Sequence, residues 1–362
     1  MLLSARDFQR HLLKWYRSNR RDLPWRLPLK LSSSDRLDPY HVLVSETMLQ
    51  QTQVATVIPY FNRFIARFRT LADLASAEQQ EVLKLWQGLG YYSRAKNLRA
   101  AAQMVLKDFA GELPSEVDHL LKLPGVGRYS AGAIASIAFE RRAPILDGNV
   151  ARVLCRIDKI RSDPRERETN ARLWKRAEQI LPKKHVGDFN SALMELGATV
   201  CRPRNPQCLI CPVQKHCEAF TAGLQEKIPP PRKRMETPLL KRWAFCIRRG
   251  DDFLLEQRPE SGRWAGMWQF ITRESGGAPV TAKTIRSLFS IRSSSPSHLG
   301  NVQHSLTHRR YDFSVYLAET RDGASHSIEA PHAWVSLDRL HEYPLPRPHL
   351  KIATQLRGLK TA

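Results

Sequence analysis

The stretch LPGVGRYSAGA, Leu123 to Ala133, places Gly125 and Gly127 between two runs of helical periodicity. Glycine lets backbone amides come close to a phosphate, and a helix that starts directly afterwards adds the positive end of its dipole. The plain alternative is an ordinary glycine-containing turn between helices. The rest of the chain decides between the two.

Around that stretch, 57 Lys and Arg stand against 35 Asp and Glu, a formal charge of +22 spread along 362 residues. Such a field favours a polyanionic partner, nucleic acid first, over a basic protein with no such partner. No segment reaches the ~20 apolar residues of a bilayer span, and the start, MLLSARDFQRH, lacks the apolar core of a secretory signal. The expectation is therefore an intracellular protein, cytoplasmic or associated with the nucleoid in a bacterium, with no membrane partner.

Residues 1 to about 200 read mainly as helices. Phe8, Leu12, Leu13 and Tyr16 recur at helical spacing, and similar patterns fill 40–68, 92–107, 129–140, 149–160, 170–181 and 188–199. A Pro triplet beside a basic run marks 222–238 as a linker. Beyond it the period becomes two, at Trp243, Phe245 and Ile247 and at Tyr311, Phe313, Val315 and Leu317, while 281–289 looks helical. The expected organisation is a mainly α domain over 1–221, the linker, and a smaller α+β domain over 239–362.

Cys201, Cys208, Cys211 and Cys217 form C-x6-C-x2-C-x5-C, so a short loop brings four thiolates together. Four soft ligands suit zinc or an iron-sulfur cluster, and the single short C-x2-C pair favours the cluster. Arg202, Arg204, Lys215 and His216 lie in the same loop, where its outer face could meet phosphates. Cys155 and Cys246 stand alone and read as core residues.

Together, SETMLQQTQV, QGLGYYSRAKNL, LPGVGRYSAGA, PILDGNVARV and the cysteine loop resemble the helix-hairpin-helix, iron-sulfur DNA glycosylases, and within them the MutY-type adenine glycosylases. The match runs from RDLPWR, 21–26, through Cys217 and resumes more weakly from about 240. The resemblance implies a helix-hairpin-helix glycosylase domain, one [4Fe-4S] cluster on the four cysteines, a Nudix-like C-terminal domain, base flipping, and removal of adenine mispaired with 8-oxoguanine or guanine. The implied partner is double-stranded DNA carrying such a mispair, bound by a monomer mainly through phosphates, so that affinity falls with salt. Contacts with other repair proteins would fall on the linker.

Val42, Glu46 and Leu49 share a helical face, so partial desolvation should raise the Glu46 pKa above the ~4.3 of an exposed glutamate. A general acid needs that condition, because adenine leaves poorly unless it is protonated first. The resemblance assigns Glu46 the proton transfer to adenine N7. The competing reading is a glutamate paired with an arginine such as Arg94.

Asp147, in LDGNVARV, looks like a helix N-cap. By resemblance it also stabilises the oxocarbenium-like sugar, with Asn149 and Tyr129 supporting it. Related enzymes that cut the strand carry a lysine where this chain has Tyr129, so a monofunctional glycosylase is expected. Gln50 and Gln51 match positions at the DNA face, and uncharged amides can fill the gap left by a flipped base; Gln53 is as readily a surface glutamine. Tyr91 matches an aromatic wedge, with a core tyrosine as the alternative.

In the last domain, 254–270 resembles the start of a Nudix-like domain, yet no Glu-rich metal-binding box follows and Glu274 stands alone, so a reader is expected in place of a hydrolase. The family's Phe-Ser-His loop has its counterpart in Leu306, Thr307 and His308, which keeps the hydroxyl and the histidine but loses the aromatic ring. A plain turn into the strand YDFSVYL is the alternative. Residues 27–38 look longer than the usual connector, and no function is assigned to them. An endonuclease III-like glycosylase for oxidised pyrimidines and a non-catalytic iron-sulfur DNA-binding protein are the competing functions.

Overall fold

The computed structural model describes residues 5–26, 37–231, 236–277, 279–321 and 330–360. Most of the connector expected at 27–38, and residues 232–235 of the linker with its basic run, lie outside the described residues. Two compact units emerge: Met1–Ser76 with Asn97–Lys233, and Ala77–Lys96 with Arg234–Ala362. The second unit thus includes a segment that a single boundary in the linker would leave in the first.

Along the chain come α1 (Ala5–Asn19), α2 (Pro39–Leu49), α3 (Val54–Arg67), α4 (Leu71–Ser76), α5 (Gln79–Leu85), α6 (Ser93–Asp108) and α7 (Val117–Leu120). They are followed by α8 (Arg128–Phe139), α9 (Gly148–Ile157), α10 (Arg167–Gln179), α11 (Val186–Thr199) and the short α12 (Glu218–Thr221). Among the described residues no helix is long and apolar enough to cross a membrane.

The expected pattern over 40–68 resolves into two helices. Asp38 caps α2 through a bond from Tyr40 N, with Pro39 in the first turn, and α2 stops at Leu49. Gln50 to Gln53 form a turn, with Gln51 left-handed at φ 57°, so the amides of this stretch are not on the helix as expected. Nor does α2 bury a single face: Tyr40, Val42, Leu43, Val44, Ser45, Glu46 and Met48 are all buried, as in a helix enclosed by its neighbours. In the first unit, α1, α9, α10 and α11 share one apolar core with Val213 and Ala219 of the cysteine loop region.

The second unit holds β1 (Leu239–Arg249), β2 (Asp252–Gln257), β3 (Trp268–Glu274), α13 (Ala282–Phe289), β4 (Ser297–Ser305), β5 (Arg310–Glu319), β6 (His332–Ser336) and α14 (Arg347–Lys360). The six strands lie in the order β4-β5-β1-β3-β2-β6, with β1 and β5 parallel and the other main pairings antiparallel. Trp243, Phe245 and Ile247 of β1 pack with Ile285 and Phe289 of α13, whereas Ala244 and Cys246 pack with Ile352, Ala353 and Leu356 of α14. The alternation read along β1 is therefore real, but both faces are covered.

Candidate active site

Glu46 lies on the buried α2, 6% exposed, and accepts a hydrogen bond from the Tyr129 hydroxyl on α8 at 2.8 Å. Burial pushes its carboxyl up to about 7; the Tyr129 bond and the Arg26 charge pull down against this, and Asp147 pushes further up. The competing Arg94 pairing is not what holds it. Arg94 instead donates to the carbonyls of Gly90 (3.0 Å) and Leu89 (3.4 Å) and packs on the Trp86 and Tyr91 rings.

Asp147 caps α9 with its Oδ1 accepting from Val150 N at 2.7 Å, and its Oδ2 accepts from Asn149 Nδ2 at 3.1 Å. Burial raises its pKa, while these bonds and Arg152 work to keep it charged. Asn149 Oδ1 in turn accepts from Arg152 Nη2 at 2.8 Å, and Arg152 Nε reaches the carbonyl of Cys201 at 2.8 Å. The cap of α9 and the start of the cysteine loop are thereby joined by one side chain.

Glu46, Asp147, Tyr129 and Asn149 line one cleft of about 1550 Å³, together with Gln50, Gln51, Gly125 and Gly127. The Tyr129 oxygen also lies 3.0 Å from Met194 Sδ, and burial followed by the Glu46 charge holds its phenol well above the ordinary value. Gln50 Nε2 donates to Ser130 Oγ at 3.3 Å, at the start of α8.

The two hairpin glycines differ in their reasons. Gly125 sits at φ 78°, and a Cβ there would lie 2.7 Å from Cβ of Asn97, so only glycine fits. Gly127 has an ordinary φ of −94° and caps α8 with nothing within 4 Å of a would-be Cβ, which leaves the helix start open to a ligand.

Sequence reasoning missed Glu195. This fully buried carboxylate on α11 lines the same cleft and accepts from Arg21 Nε (2.6 Å), Arg21 Nη2 (3.1 Å) and Arg26 Nη2 (2.9 Å). Burial raises its pKa, but the two guanidiniums outweigh it and hold the group charged. The signal was available: like Glu46, it is a lone carboxylate in an otherwise apolar helical run. Gly197 was missed too; a Cβ there would lie 2.7 Å from Cβ of Asn149, so it lets α11 pack tightly behind that residue.

Cys201, Cys208, Cys211 and Cys217 line one cavity with Arg156, Val200 and Val213. Buried Arg156 ties the loop down, donating to the carbonyls of Ile228 and Arg202, each at 2.8 Å, and approaching Cys201 Sγ at 3.3 Å. Burial pushes the Cys211 thiol up to about 12, with the other three cysteines adding to the rise. Four neighbouring thiolates repel one another unless a cation compensates them, so the donor set and its shared cavity fit a metal group. Among the described residues no three His, Cys, Asp or Glu side chains are gathered as ligands for a single ion.

The remaining expected residues lie in the second unit. Tyr91 is 42% exposed with φ 49°, which excludes a core role, and its hydroxyl meets Thr307 Oγ1 at 2.5 Å. Thr307 and His308 are exposed at the tip of the β4–β5 hairpin, closed by Leu306 N donating to the Arg309 carbonyl at 2.8 Å. Leu306 is half-buried and packs on the core of the sheet. The segment is a turn into β5 that presents both polar side chains.

Residues 44–179 match the HhH-GPD superfamily of base excision DNA repair proteins, and 242–355 match a NUDIX domain. The structure of a thermostable thymine-DNA glycosylase is similar at 30% identity with a TM-score of 0.53, covering 60% of this chain and 97% of that one. A trapped endonuclease III–DNA covalent intermediate, 24% identical with a TM-score of 0.50 over 61% of this chain and 99% of that one, shares the fold. The adenine DNA glycosylase of Rattus norvegicus is 40% identical over 85% of this chain and 70% of its own length, and that of Homo sapiens 37% identical over 92% and 71%. That of Buchnera aphidicola subsp. Baizongia pistaciae is 33% identical over 98% of each chain. A helical fold shared with base excision enzymes, and relatives this similar along most of their length, lead to one assignment: the chain belongs to the adenine DNA glycosylase family.

Proposed function

We propose that the protein flips adenine out of a duplex and hydrolyses its N-glycosidic bond, acting on adenine opposite 8-oxoguanine and more slowly opposite guanine. The observation that carries this reading is a buried carboxyl raised to about 7, bonded to Tyr129, in the same cleft as a second carboxylate held by Val150 N and Asn149. Burial raises both carboxyls, but at Asp147 the bonds from Val150 N and Asn149 and the charge of Arg152 oppose the rise, so Glu46 suits the acid and Asp147 the electrostatic partner.

In this mechanism protonated Glu46 gives its proton to N7 of the flipped adenine, and the electrons of the C1′–N9 bond leave with the base. Charged Asp147 stabilises the positive sugar carbon. Water then adds its oxygen to C1′, and its proton restores Glu46. Tyr129 supplies no amine for a Schiff base, so the product is an abasic site in an unbroken strand.

The open start of α8 at Gly127 and the Gly125 turn would take phosphates, Gln50 and Gln51 would occupy the space of the extruded base, and Tyr91 would act as the wedge. Thr307 and His308 would read the opposite base. Cys201, Cys208, Cys211 and Cys217 would hold one [4Fe-4S] cluster, which would supply a crosslink ordering the loop that Arg152 and Arg156 grip.

The test is single-turnover base release from duplexes with adenine opposite 8-oxoguanine, guanine, cytosine or thymine, and from thymine glycol opposite adenine, scored with and without alkali. The expected result is release from adenine opposite 8-oxoguanine, then guanine, with strand breaks only after alkali. Release from thymine glycol, or breaks without alkali, would point to an endonuclease III-like activity instead.

A further inference from the structure

The segment that carries Tyr91 is held by Glu260, which lies in the loop between β2 and β3. Glu260 Oε2 accepts from Gln79 Nε2 at 3.0 Å and from Lys96 Nζ at 2.7 Å, and its backbone carbonyl accepts from the same Lys96 at 2.9 Å. Gln79 starts α5 and Lys96 lies in the first turn of α6, so one carboxylate grips the segment on both sides of the Gly88–Tyr91 turn. Gln80 Nε2 adds a bond to the carbonyl of Gly266, at the end of the same loop, at 2.9 Å.

Between these grips the turn is held by its own contacts. Gly88, Gly90 and Tyr91 are all at positive φ, and the buried Arg94 ties their carbonyl side down while its guanidinium packs 5.3 Å from the Trp86 centroid and 5.5 Å from that of Tyr91. A turn held at both ends is placed by what holds it. Here that placement brings the exposed phenol onto Thr307.

We propose that Glu260 is a positioning residue for discrimination of the base opposite adenine: by gripping Gln79 and Lys96 it sets Tyr91 against Thr307, so that wedge and reader meet DNA as one unit. The inference rests on the reading of Tyr91 and Thr307 given above. Glu260 is 64% exposed in its side chain and belongs to no buried network, so its replacement leaves the fold in place.

The experiment measures two quantities on full-length protein. One is the ratio of affinities for duplexes bearing a non-cleavable adenine analogue opposite 8-oxoguanine or guanine. The other is the single-turnover rate of adenine release opposite 8-oxoguanine at saturating protein. Glu260→Ala should lower the affinity ratio on the order of two- to fivefold, the range an exposed ion pair can supply, and leave the saturated rate unchanged. Glu260→Gln, which keeps an acceptor, should retain part of the ratio, and the double exchange Glu260→Lys with Lys96→Glu, which restores the ion pair but not the bonds from Gln79 and to the 260 carbonyl, should recover part of it.

Thr307→Val separates the two levels of the argument. If it leaves the ratio unaltered, the reader assignment itself fails. If it lowers the ratio while Glu260→Ala does not, the positioning role alone is overturned. A loss in Glu260→Ala that the charge exchange does not recover even in part would overturn it as well.

Discussion

Two tyrosine hydroxyls, one in each unit, make hydrogen bonds of opposite character. Tyr129 donates to a buried carboxyl whose ionisation the protein interior opposes, whereas exposed Tyr91 meets the hydroxyl of Thr307 at a hairpin tip. In the interior a single bond to a charged group is unscreened and shifts a proton equilibrium. At the surface water offers both hydroxyls nearly equivalent partners, so the bond fixes geometry and contributes little energy. On the proposed function, the chemistry would fall at the buried bond, and the reading of the opposite base at the exposed one, where DNA would displace water.

The largest effect that sharpens this contrast is expected from Glu46→Gln. It removes the proposed proton donor and keeps the shape, so single-turnover release of adenine should fall about 10²- to 10⁴-fold while duplex binding persists. Unchanged release would remove Glu46 from the mechanism. The same change has a stability signature with a definite sign. The folded carboxyl titrates near 7 and the reference value is 4.5, so the favourable share of this group is complete below 4.5 and is lost as pH rises through about 7. Above that range the burial of charge costs about 3 kcal/mol, and Glu46→Gln should melt higher than wild type at pH 8 but not at pH 4.

How much of this was legible in the residues alone differs between the regions. Glu46 stood out as a carboxylate among apolar neighbours and Asp147 as a cap before an apolar run, and both readings are local. Glu195 carried the same signal as Glu46 and was passed over, because its arginine partners come from residues far away in sequence. The turn at Gln51 was hidden because no glycine marks its left-handed backbone. In the second unit, β4 has no apolar alternation since it is an edge strand with mostly exposed residues, and the placement of Ala77–Lys96 depends on side chains such as Glu260 that no periodicity reveals. Local chemistry writes itself into local sequence, whereas long-range docking does not.

Tyr129→Phe comes next in size. Its hydroxyl is among the groups that lower the Glu46 pKa, so its removal should move the alkaline limb of the release-against-pH profile upward from about 7. A bond to a charged acceptor is worth enough to expect a shift of about one unit. The rate at low pH, where Glu46 is protonated in either protein, should change less than the rate at pH 8, which measures the electrostatic effect separately from any loss of positioning. A profile whose limb stays where it was would mean that the phenol holds the carboxyl in place without tuning it.

The smallest effect is expected from the same chemical change at the other site, Tyr91→Phe. The ring remains exposed for stacking and Arg94 still packs against it, so wedge function should survive and the release profile should keep its limb near 7. What is lost is one solvent-accessible hydrogen bond to Thr307, worth about 1 kcal/mol or less, and the loss should appear only in the preference for 8-oxoguanine over guanine opposite adenine, as a change of a few-fold. Paired affinity measurements on the two duplexes would detect it. A Tyr91→Phe protein that instead lost adenine release from both duplexes alike would place this hydroxyl in the chemistry, and the proposed division of roles between the buried phenol and the exposed one would no longer hold.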